Sequence, residues 1–185
     1  MTTRPRRALR CALLPALLLA ACTGFHEVVP GVYRDRQPAE DEMVVHIERH
    51  GIRTLVRLRG ETPDTAPSRR AAWAMDVDVV DIPMSARRLP TKATLLRLWE
   101  TLDRAERPLL FHCRAGVDRT GLASALAVLH DTGDLSAARR QLALLPYGHV
   151  PFGPTQAMDE VLQRFAATGG GSPFPDWVRD TYEPE

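Results

Sequence analysis

Lysine is nearly absent from this sequence, cysteine is scarce, and no apolar run is long enough to stay in a membrane. Three cysteines in 185 residues, Cys11, Cys22 and Cys113, are too few for a disulfide framework. Of the 24 basic residues only Lys92 is a lysine, which marks a codon or genome bias. Acidic residues number 23, so there is no surplus of positive charge to make nucleic acid the main partner. No internal repeat and no long linker divides the chain. His26, His46, His50 and His130 have no metal-ligand spacing with other candidates, so neither a metal nor another cofactor is inferred. The rest is ordinary: 44% hydrophobic and 25% charged residues, in a length that suits one domain with a single core.

The apolar stretch CALLPALLLAA at 11–21 spans only about 16 Å as a helix, roughly half the hydrocarbon core of a bilayer. It follows Arg4, Arg6, Arg7 and Arg10, with no acid among residues 1–10. This is the layout of a secretory signal. The junction Leu19-Ala20-Ala21-Cys22 resembles the lipobox of bacterial lipoproteins. That resemblance implies a cut before Cys22 and a lipid on it. Leu19 speaks against ordinary signal cleavage after Ala21, a site that wants small residues. The expected segments are a signal at 1–21 and a lipid-anchored tether at 22–27. The mature chain, 22–185, loses four arginines and no acid, so its formal charge falls from +1 to −3. Cys113 is then the lone free thiol in a compartment that favours oxidation, facing the periplasm or the exterior.

Further along, apolar periodicity and punctuation predict alternating strands and helices. Strands are expected at 31–33, 52–58, 77–82 and 108–112. Helices are expected at 38–50, 68–75, 91–105, 120–130, 136–145 and 155–165. Leu95, Leu98, Trp99 and Leu102 share one helical face, which places Trp99 in the core. The helix at 120–130 is apolar nearly all round, hence central. The run Gly169-Gly170-Gly171 and the Pro-rich stretch after it predict a loose tail over 167–185. Strands alternating with helices, then helices only, imply an α/β fold: a mostly parallel sheet covered on both faces.

The informative stretch is Phe111-His112-Cys113-Arg114-Ala115-Gly116-Val117-Asp118-Arg119-Thr120-Gly121. An apolar strand ends at His112 and a buried-type helix begins near Thr120. In so tight a loop, backbone N–H groups converge on the positive end of the helix, and Gly116 permits the curl. Such a field favours a cysteine as its thiolate; sites of this kind lower a thiol pKa from about 8.5 to ~3.5–7.5. Arg119 offers a planar fork to two phosphoryl oxygens. Thiolate, amide cradle and guanidinium together suit nucleophilic attack on a phosphate ester.

The stretch HCRAGVDRTG resembles the signature H-C-x5-R-[ST]-G of protein tyrosine and dual-specificity phosphatases. The upstream stretch Gly31-Val32-Tyr33-Arg34-Asp35-Arg36-Gln37-Pro38 is similar to the start of small bacterial members. The likeness covers about 28–166, the expected phosphatase domain. It implies a phosphotyrosine-phosphatase-like fold and a metal-free phosphatase. By resemblance Cys113 forms the phosphocysteine and Arg119 binds the phosphoryl group. The backbone of Arg114, Ala115, Gly116, Val117, Asp118 and Arg119 lines the cradle. Thr120 hydrogen-bonds Cys113, and His112 orders the loop from beneath.

A proton donor for the leaving group is also expected. The family usually supplies an aspartate from a loop ahead of the cysteine, but here Pro83 to Pro90 holds no carboxylate. Asp81, just before that loop, and Asp118, inside the signature, are the candidates. Asp118 is preferred, since its position resembles that of the loop aspartate of myotubularin-type and Sac-type lipid phosphatases. Arg87 and Arg88 on the 83–90 loop can receive extra negative charge, though an exposed pair is more often plain surface. His149, in a loop between helices, could reach the site, though a surface position is the commoner outcome.

The leading reading is therefore an envelope-anchored hydrolase acting on phosphotyrosine or phosphoserine/threonine. An alternative is an inositol-phosphate or phospholipid-headgroup phosphatase, and a third reading, of another class, is a non-catalytic phosphate-binding lipoprotein. The mid-chain signature and the lack of a second mature, unlipidated cysteine argue against a sulfurtransferase or an arsenate-reducing thiol enzyme.

Overall fold

The computed structural model describes residues 24–184. The signal at 1–21 and Cys22 lie outside the described residues. Five strands form one sheet: β1 (His26–Val29), β2 (Val32–Asp35), β3 (Thr54–Arg57), β4 (Asp78–Asp81) and β5 (Leu109–His112). Their order is β1-β2-β5-β3-β4, and only the β1–β2 pair is antiparallel. Among the described residues seven helices surround the sheet: α1 (Glu40–His50), α2 (Ala66–Ala74), α3 (Lys92–Arg104), α4 (Asp118–Thr132), α5 (Leu135–Arg139), α6 (Ala157–Thr168) and α7 (Phe174–Asp180).

Alternation along the strands splits the core in two. Val32, Val56, Leu109 and Phe111 face α3, α4, α6 and α7, while Leu55 and Leu110 face Met43, Ile47, Ala71 and Ala72 of α1 and α2. Strands β3 and β5 are buried throughout, as expected of parallel strands covered on both sides. In α4 every residue from Thr120 to Leu129 is buried, in accord with its all-round apolarity.

Several boundaries differ from the sequence expectation. Helix α1 begins at Glu40 rather than Pro38, where the Ala39 N–H donates to the Glu42 carboxylate at 2.9 Å. The helix expected at 136–145 ends at Arg139 and tightens into a 3-10 turn at Arg140–Leu142. The edge strand β1 was not expected at all. Trp99 is partly buried and stacks on Phe174 with ring centroids 5.2 Å apart.

The expectation of a loose tail is corrected. Residues 174–180 form α7, and Phe174, Trp177, Val178 and Tyr182 enter the main core. The Tyr182 hydroxyl donates to the Pro90 carbonyl at 2.8 Å. Aromatic area outweighs the glycines here: the Gly169–Gly171 run is a bend before another packed helix. Among the described residues no helix is long and apolar enough to cross a membrane.

Candidate active site

Parallel strands that end together make a natural site at their carboxyl ends. The register sets Asp35, His112, Arg57 and Asp81 level across β2, β5, β3 and β4, one residue short of Cys113. Cys113 is 2% exposed and opens a loop of five residues that ends where α4 begins. The expected cradle residues Arg114, Ala115, Gly116, Val117, Asp118 and Arg119 therefore curl around the N-terminal end of a fifteen-residue helix, where its dipole is positive.

Two glycines explain why the loop takes this path. Gly116 has φ +72°, and a Cβ there would lie 2.5 Å from the Arg36 nitrogen and 2.8 Å from the Asp35 oxygen. Only a residue without a side chain lets the cradle press against the end of β2. Gly121, in the first turns of α4, abuts the 3-10 turn: a Cβ would meet Leu142 Cδ2 at 2.7 Å.

The loop is braced by a residue to which the sequence reading gave no role. Arg34 is 1% exposed, on β2. Its Nη2 donates to the carbonyls of Gly116 at 2.9 Å and Val117 at 3.3 Å, and its Nη1 donates to Gln141 O at 2.8 Å and Oε1 at 3.1 Å. The guanidinium carbon lies 3.8 Å from the centre of the Tyr147 ring. Burial lowers the Arg34 pKa to about 10. Holding these two loop carbonyls outward turns the N–H groups of the same peptide units toward the concave face, which is what an anion cradle needs. A signal existed: Arg34 stands two residues after Val32, on the same face of a strand.

His112 is fully buried beneath the loop, with Nδ1 3.3 Å from the Cys113 carbonyl. Burial lowers its pKa to about 4, so it is neutral. The Thr120 hydroxyl is buried, but the bond expected with Cys113 is not formed; it has no partner among the described residues. Arg119 Nε is likewise buried and unpartnered, while Arg119 Nη1 reaches the Met84 carbonyl at 3.5 Å. Two orphaned polar groups on successive residues, next to a buried thiol, mark a place shaped for a polar ligand.

Both candidate proton donors are engaged by neighbouring side chains. Asp81 is clasped by the buried Arg57 through bonds of 2.8 and 2.6 Å. Asp118 accepts from His149 Nδ1 at 2.8 Å, and this bond holds its carboxyl below the usual carboxylate range. His149 is not a surface residue: its side chain is completely buried. Arg87 and Arg88 are exposed, as a solvated pair would be. Among the described residues no group of His, Cys, Asp and Glu is placed to hold a metal ion.

The family described as DSP-PTPase phosphatase fused to NAD+ kinase matches residues 27–140, more than half of the chain. The chain belongs to this family. The phosphatase is also similar in fold to solved structures. One is TpbA of P. aeruginosa, with TM-score 0.64, 24% identity, and coverage of 85% of this chain and 89% of that one. A cysteine-to-serine form of TpbA in complex with phosphotyrosine gives TM-score 0.57 and 26% identity, covering 86% and 90%. The core catalytic domain of the PP-IP phosphatase SIW14 from S. cerevisiae, in complex with citrate, gives 0.51 and 21%, covering 86% and 85%. No curated protein matches the chain. Its class is thus that of a cysteine-dependent phosphatase of the dual-specificity and tyrosine type.

Proposed function

We propose that this phosphatase hydrolyses phosphate monoesters by a two-step path through Cys113. In the first step the Cys113 thiolate attacks phosphorus, the S–P bond forms, and the ester P–O bond breaks. The leaving oxygen takes its proton from water or is a good enough leaving group to depart without one. In the second step water attacks phosphorus, the S–P bond breaks, and inorganic phosphate leaves with the thiolate restored. Arg119 forks two phosphoryl oxygens, the N–H groups of 114–119 hold the third, and Thr120 donates to the departing sulfur. The observation that carries this reading is the buried Cys113 at the mouth of α4, inside a loop whose carbonyls Arg34 holds aside.

Phosphotyrosine or phosphoserine/threonine in proteins is the substrate class we favour. The phosphotyrosine complex of TpbA supports it. The exposed Arg87 and Arg88, on the loop whose Met84 carbonyl meets Arg119, favour a second reading as an inositol-phosphate or phospholipid-headgroup phosphatase. We infer further that Cys22 carries a lipid and tethers the enzyme to the bacterial envelope; the basic run, apolar stretch and Leu19-Ala20-Ala21-Cys22 junction support this.

The test is hydrolysis of an aryl phosphate by the full chain beside Cys113→Ser, in reductant and EDTA. Turnover by the first and none by the second is expected. Equal rates for both would sink the cysteine mechanism, and phosphate binding without turnover would favour a non-catalytic binding protein. Phosphopeptides set against inositol phosphates then decide the substrate class.

A further inference from the structure

Between the 3-10 turn at Arg140–Leu142 and α6 lies a loop whose one histidine, His149, has a side chain with no exposure. Its Nδ1 stands 2.8 Å from Asp118 Oδ1 and its Nε2 stands 2.6 Å from Asp159 Oδ2. Carboxylate oxygens only accept, so both ring nitrogens must donate, and the ring is an imidazolium. The Asp118 and Asp159 carboxylates are 26% and 13% exposed. Burial alone would lower the His149 pKa, but the bonds from its two partners overcome this and raise it to about 9.

Asp118 poses a problem for an anion site. It sits directly before Arg119, in a loop built to gather positive field around a phosphoryl dianion. A bare carboxylate there draws on the helix dipole and the guanidinium itself and so cancels part of the positive field meant for the phosphoryl group.

We propose that His149 is a positioning residue for the phosphate site: it fixes the first turn of α4 against the 143–156 loop and α6, and it offsets the charge of the one carboxylate inside the cradle loop. The proposal rests on the reading of the cradle as a phosphate site. It accounts for a charged ring being kept wholly out of water, which only two well-placed partners can sustain. It also joins the loop's fold to the chemistry, since the segment that follows Tyr147, itself packed on Arg34, delivers the ring.

Charge arithmetic supplies the test. The trio Asp118, His149 and Asp159 bears one net negative charge. His149→Gln leaves two, and adding Asp118→Asn to it returns the total to one. Competitive inhibition of aryl phosphate turnover by inorganic phosphate reads the affinity of the full chain and each variant. His149→Gln should weaken phosphate inhibition roughly tenfold, less at high salt, and the double variant should recover to within about threefold of wild type. Unchanged inhibition in His149→Gln overturns the proposal. A double variant as weak as the single one also overturns it, because a role in packing alone predicts that result. If wild type itself neither turns over nor binds phosphate, the reading of the site has failed, and the proposal falls with it. Should His149→Gln not fold, Asp118→Asn alone decides: severalfold tighter phosphate inhibition supports the proposal, and unchanged or weaker inhibition overturns it.

Discussion

A guanidinium buried as deeply as that of Arg34 has given up its water, and only a full set of acceptors makes that tolerable. Here the acceptors are the Gly116, Val117 and Gln141 carbonyls and the Gln141 side chain, so the stability of the charge and the shape of the cradle are one arrangement. Lysine keeps the charge but cannot reach four acceptors from one planar fork. Arg34→Lys should therefore lower kcat/KM by at least roughly tenfold, with a smaller change in melting temperature, because the loop loses its aim before the core loses its packing. A variant with wild-type kcat/KM would show that the loop holds its path unaided. At the same scale the two aspartates part company. Asp118→Asn should keep the acid limb of the kcat profile, since the bond from His149 occupies its carboxyl and holds it below the usual carboxylate range. Asp81→Asn should reveal itself in stability, by about 1–3 kcal/mol, because it weakens the clasp on the buried Arg57. A lost acid limb in Asp118→Asn would restore that residue as the proton donor. The thiol and Arg119 were readable in the sequence because their spacing is itself the chemistry. Arg34, Asp159 and the burial of His149 were not, because they act across 107, 10 and 31 positions of chain and leave no local pattern.

Elements were readable where one face or one period dominates. Strand β5 and helices α3 and α4 were placed to within two residues, since burial on all sides or along one stripe writes itself into the apolar spacing. Helix α7 was hidden by its glycines and prolines, which signal a loop when counted without the aromatic residues between them. Those aromatics decide the matter. Trp177 is 2% exposed, its ring lies 5.2 Å from both Phe165 and Tyr182, and its Nε1 donates to Thr168 at 2.8 Å. Helix α7 thus closes the end of the core over α3 and α6 rather than trailing from it. Trp177→Ala should cost about 3–5 kcal/mol and lower the melting temperature by roughly 10 °C, while leaving phosphate affinity in the folded fraction unchanged. A melting temperature within a degree of wild type would return the segment to the status of a loose tail.

Two buried histidines give the whole molecule opposite dependences on pH, one on either side of their common unfolded value. His112 has its pKa lowered to about 4 by burial. The unfolded chain binds that proton and the folded one does not, so stability is present above about 6.5 and is lost as the pH falls toward 4. His149 has its pKa raised to about 9 by Asp118 and Asp159, against the pull of burial. Here the folded chain binds the proton, so stability is full below about 6.5 and is lost as the pH rises through 9. Each shift corresponds to about 3 kcal/mol, a large part of the 5–15 kcal/mol typical of a domain. Asp131, held near 2 chiefly by Arg107, and Asp118, lowered chiefly by His149, add to the acid side only below about pH 4, so they cannot supply the decline that begins near 6.5. Urea midpoints measured from pH 4.5 to 9.5 should therefore peak near 6.5 and fall on both sides. In His149→Gln the alkaline fall should vanish while the acid fall remains. A profile that stays flat from 6.5 to 9, or an alkaline fall that survives in His149→Gln, would mean that the ring is not held as an imidazolium, and the network joining α4 to α6 would lose its electrostatic basis.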